Sequence, residues 1–65
     1  MEFKVGMQIH DLQAREWYTI AKVEKNKVIC FGPYGSMRMM SFDYLEREIK
    51  QKVIEVKEAS YGKKV

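Results

Sequence analysis

One cysteine and one histidine among 65 residues decide how this chain can be held together. Cys30 has no second thiol for an intramolecular disulfide, and with His10 as the sole imidazole the usual four-ligand Cys/His zinc site cannot be assembled. Chains this short bury only about 60% of their unfolded surface, and most of them add a disulfide, a metal or a partner chain. Here the apolar side chains must suffice, and at 46% of the sequence, eight of them aromatic, they are too abundant for a disordered chain. The sequence therefore implies one small domain, folding alone or as a small oligomer, with neither metal nor cofactor.

A lone thiol suits a reducing compartment. No apolar stretch approaches the ~18 residues of a membrane span, and the N-terminus lacks the basic start and apolar run of a signal peptide. The expectation is a soluble cytoplasmic protein with no membrane partner. Nothing before residue 59 reads as a linker, so residues 1–58 form the expected domain and 59–65, with Lys63 and Lys64, a flexible basic tail.

Alternation of apolar and polar residues organises most of the chain. Phe3, Val5, Met7 and Ile9 alternate with polar neighbours, which predicts a strand over Glu2–Ile9 with a bend or bulge at Gly6. Trp17–Val23 and Val28–Phe31 are β-rich, and the polar Glu24–Lys27 between them predicts a hairpin in which Asn26 takes the positive φ of a tight turn. Gly32-Pro33-Tyr34-Gly35-Ser36 turns the chain, and Met37–Ser41 returns as a fourth strand. Ser41 or Asp43 then caps a helix over about Phe42–Gln51, followed by a strand over about Lys52–Lys57; a single longer helix is the alternative. Four or five short antiparallel strands and a short helix in about 60 residues correspond to a mainly β fold, a small SH3-like barrel, whose closure would remove exposed sheet edges.

Particular residues then resemble the Tudor family of SH3-like barrels. Phe3-Lys4-Val5-Gly6 is similar to the family's aromatic-x-Val-Gly opening, and Trp17–Val23 resembles its Trp-Tyr-x-Ala-x-Val strand with one residue more. Tyr34-Gly35-Ser36 is similar to the family's Tyr-Gly-Asn turn, with Met40 and Leu45 five and ten residues after Gly35, where the pattern has an apolar residue and a leucine. The resemblance spans about residues 3–46 and implies binding of a methylated lysine or arginine in an aromatic cage by cation–π attraction. It places Phe31 and Tyr34 at two cage positions and Ser36 at the asparagine. The other two rings belong near Gln13 and near Thr19, with Trp17 and Tyr18 close by, and Pro33 replaces the usual aspartate.

Enzymatic chemistry finds little to use. Cys30 sits in a β-rich run that suits a small core residue, and His10-Asp11 has no nucleophile, phosphate loop or metal cluster to join, so capping or solvation is its expected role. Two binding readings remain. In the first, a non-catalytic protein-interaction module receives a peptide or a partner face on Tyr18, Phe31, Tyr34, Met37, Arg38 and Met39. Trp17 and Tyr18 must point to opposite faces, with Tyr18 at the barrel end or within reach of a partner. If Met40 is core, Met37 and Met39 face outward as an adhesive pair, with Arg38 at the rim; self-association into a homodimer would suit so small a domain.

The second reading is nucleic-acid binding by a basic strip of Lys22, Lys25, Lys27 and Arg38 interleaved with Tyr18 and Tyr34. Charge is distributed accordingly: residues 15–40 carry +3 and 1–14 and 41–58 each −1, with +2 in the tail, for a net +3. That field is modest, and it tilts the expectation toward a protein partner.

Overall fold

Residues 2–58 are described by the computed structural model, so the expected tail lies outside the described residues. The chain forms β1 (Gln8–Asp11), β2 (Glu16–Val23), β3 (Lys27–Phe31), a 3-10 turn (Pro33–Gly35), β4 (Met37–Ser41), α1 (Phe42–Lys50) and β5 (Ile54–Lys57). All five strands join one antiparallel sheet in the order β4-β3-β2-β1-β5. The fold is mainly β with one short helix, in the manner of a small barrel. No helix among the described residues is long and apolar enough to cross a membrane.

Side chains of one parity fill the interior. Ile9, Tyr18, Ile20, Val28, Cys30, Met40 and Ile54 are buried, joined by Phe3 and Met7 from the N-terminal arm and Leu45 from α1. Strand pairing stops at β4 and β5, and α1 packs against both. A helix rather than a ladder thus covers the gap, and both outer strands keep an open edge. Of the two expected caps, Ser41 starts that helix, its hydroxyl oxygen accepting from the Tyr44 amide at 3.0 Å, and Asp43 lies in the first turn.

Three local expectations are corrected. The strand over Glu2–Ile9 is instead an arm, a turn at Val5–Gly6 and then β1. Gly6 adopts φ 93°, so the alternation breaks there, leaving Val5 exposed while Phe3 and Met7 are buried. His10 and Asp11 consequently lie within β1 rather than after a strand. The hairpin between β2 and β3 closes through the Glu24 amide donating to the Lys27 carbonyl at 2.8 Å, and Asn26 needs no positive φ. Its carbonyl accepts from the Phe42 amide at 3.0 Å, tying the hairpin to the start of α1.

The third correction concerns regularity in β2. Ile20 pairs with Cys30 and Lys22 with Ile29, so Ala21 is an extra residue, a β-bulge. Strict alternation after Tyr18 and Ile20 would aim Lys22 inward. The bulge resets the phase, setting Val23 opposite buried Val28 and leaving Lys22 outside.

Candidate functional site

Strand parity and register bring the outward side chains of β3 and β4 together. Phe31 pairs with Met37 and Ile29 with Met39, so the four lie on one outer face. Phe31 is 48% exposed, Met37 64% and Met39 62%, whereas Met40, of the opposite parity, is buried. Tyr34 stands just beyond this strip in the 3-10 turn and is fully exposed. Its backbone lies in the left-handed region at φ 61° and ψ 24°, which costs a non-glycine residue about 1 kcal/mol. A large ring held in that conformation with no packing against the barrel contributes nothing to the core.

Tyr18 is the residue the structure places differently from a partner-accessible position. It is 6% exposed, and Trp17, at 40%, takes the outside. The Tyr18 hydroxyl donates to Glu16 Oε1 at 2.9 Å and accepts from Arg38 Nη1 at 3.2 Å, and the guanidinium lies 5.4 Å from the ring centroid. Gly32 makes room for this ring: a Cβ there would lie 2.5 Å from Tyr18 Cε2. Arg38 is exposed, but the bond to Tyr18 raises its pKa above the usual value and turns the head group toward that ring.

Of the basic strip, Lys22 pairs with Glu24 at 3.3 Å and Lys27 with the same carboxylate at 3.8 Å, while Lys25 is exposed at the hairpin tip. One glutamate thus sits between two of the four cations, and Tyr18 engages a third. Phe31 and Tyr34, the two cage positions the resemblance implies, stand apart; the ring pairs among the described residues are Phe3–Phe42 and His10–Trp17.

That second pair was not anticipated. His10 faces Trp17 across β1 and β2 and stacks on it at 4.1 Å and 4°, with Lys57 Nζ 5.5 Å from the indole centroid. Their adjacency depends on a register that local pattern does not supply. Asp11 takes the capping role, its carboxylate accepting from the Gln13 and Ala14 amides at 3.1 Å each. An apolar groove of Leu12, Ile49, Ile54 and Val56 beside α1 was likewise unread, since its walls come from three separate segments.

Cys30 is fully buried, and burial pushes its thiol from 9.0 up to about 11, with nearby Arg38 opposing the rise. The thiol is therefore neutral at physiological pH, the opposite of an activated nucleophile. Because the folded value lies above the unfolded one, the contribution of this thiol to stability is whole below pH 9 and is lost between pH 9 and about 11. Iodoacetamide at pH 8 is expected to alkylate Cys30 only on unfolding, so that native protein keeps its mass while protein in denaturant gains one adduct. Rapid native labelling would contradict the packing around Cys30.

Among the described residues no cluster of three or more His, Cys, Asp or Glu side chains is placed to hold a metal ion. No family model matches the chain, and searches of curated proteins and of solved structures find no significant match.

Proposed function

We propose that the chain is a non-catalytic protein-interaction module whose contact surface is the outer strip of Phe31, Met37 and Met39, extended by Tyr34. The observation that carries this reading is the contiguity of four exposed large apolar side chains on a domain with few such residues to spare. Exposed apolar patches on small proteins mark interaction surfaces, and flexible methionines adapt to varied partner shapes. Strain at Tyr34 supports it further, because a ring displayed at an energetic cost has no packing role to explain it. The nucleic-acid reading has weaker support, since Glu24 and Tyr18 occupy three of its four cations.

A peptide-display library panned on the immobilised full chain tests this. Selected peptides are expected to shift the amide signals of Phe31, Met37 and Met39 and the methyl signals of the two methionines, with little dependence on salt. Tyr34→Gly relieves the left-handed backbone and is expected to fold at least as stably as the parent. If its ring is a central contact, the variant should bind the same peptides on the order of thirtyfold more weakly. Equal binding by Tyr34→Gly and Met39→Ala, or oligonucleotide binding that falls steeply with salt, would overturn the reading.

A further inference from the structure

Resting on that interaction surface, we infer that β4 is a self-pairing edge and that two copies of the chain join through it as an antiparallel, two-fold-symmetric dimer. The open backbone groups can be identified. The Phe42 amide donates to the Asn26 carbonyl and the Gly32 amide to the Ser36 carbonyl, which fixes even-numbered residues of β4 as those bonded to β3. Met37 and Met39 therefore aim their N–H and C=O groups at the open edge, and their side chains are exposed there as well.

Edge strands that stay single usually carry protection in their own sequence, and β4, which α1 follows directly at Phe42, carries none. It has no proline, no lysine and no bulge in its pairing with β3. Its one charge, Arg38, is turned toward Tyr18 rather than outward. The other outer strand, β5, carries Glu55 and Lys57 of alternating sign on its outward positions, as a protected edge would. A second copy is the occupant that the strand favours, because the exposed side chains beside its open backbone groups, Met37 and Met39, are apolar and uncharged and so suit an identical strand set against them.

Charge selects the register. Placing Arg38 opposite Arg38 of the second copy would set like charges face to face. Shifting by one step puts Met39 opposite Met39 of the second copy, Met37 opposite its Ser41, and Arg38 opposite its Met40. The central Met39 pair then exchanges both backbone bonds, and the two outer strips meet as one platform. Five residues of ladder and one facing methionine pair make a small interface, so the dimer is a reversible one.

Sedimentation of the full chain over a concentration series is expected to give a monomer–dimer equilibrium, with the Met37 and Met39 amides gaining protection from hydrogen exchange as dimer forms. Met39→Lys should weaken the dimer about tenfold or more, and so should Met39→Glu, each placing like charges across the two-fold axis. Mixing the two variants should restore a dimer containing one of each. Phe31→Ala lies one strand inside the edge and should leave the dimer intact while weakening peptide binding, so the two readings can fail separately. A parent chain that stays monomeric at all concentrations, a larger assembly, or an equimolar mixture of Met39→Lys and Met39→Glu that does not pair would overturn the inference; retained amide dispersion shows that each variant is folded.

Discussion

Leu45→Ala is expected to leave the chain largely unfolded at room temperature. Leu45 is the one buried residue of α1, with no exposed surface, and α1 is the element that packs on both outer strands. Truncating a fully buried leucine costs about 2–5 kcal/mol, the lost transfer free energy plus the cavity left behind. A domain of this size has only about 3–5 kcal/mol to lose. The neighbouring strands cannot collapse into the space easily, because Ile9, Ile20 and Val28 are held by pairing on β1, β2 and β3. Urea unfolding followed by circular dichroism should place the midpoint near zero denaturant, whereas Leu45→Met, which conserves volume, should cost less than about 1.5 kcal/mol. An unchanged midpoint in Leu45→Ala would mean that α1 is peripheral to the fold.

Where the code is local, the chain could be read directly. Ser41 at the head of Phe42–Lys50 is a capping residue followed by helical spacing, and β4 to β5 fall within a residue or two of their expected bounds. The methionines were equally legible, since placing Met40 in the core forces Met37 and Met39 outward. Trp17 and Tyr18 mark where local reasoning stops. Period-two geometry sets them on opposite faces, but the choice between them is made by distant groups: Gly32 leaves space for the Tyr18 ring, and Arg38, 20 residues away, satisfies its hydroxyl. Likewise, the outer strip depends on Phe31 facing Met37, a pairing that neither strand encodes alone.

The bulge in β2 was also hidden, and the inward position just before it gives the second large expected effect. Ile20 precedes the extra residue Ala21, pairs with Cys30 and is 1% exposed, so Ile20→Lys would set an ammonium among the apolar side chains of the core. Lys22 stands outside, and deleting Ala21 would not move it: Ile20 would still face Cys30, Lys22 would face Ile29 and Val23 would face Val28, in regular alternation. A lysine at Ile20 is intolerable in so thin a core: an unpaired buried ammonium costs several kcal/mol, about the whole stability of the domain. Ala21→Ser keeps the extra backbone unit and changes only an exposed side chain, so its midpoint should lie within about 0.5 kcal/mol of the parent. Ile20→Lys should instead lose amide dispersion and cooperative melting, whereas the chain lacking Ala21 should keep both. Native-like spectra from Ile20→Lys would show that the core opens to water at β2, and loss of dispersion in the deleted chain would show that the bulge sets more than the phase of the strand.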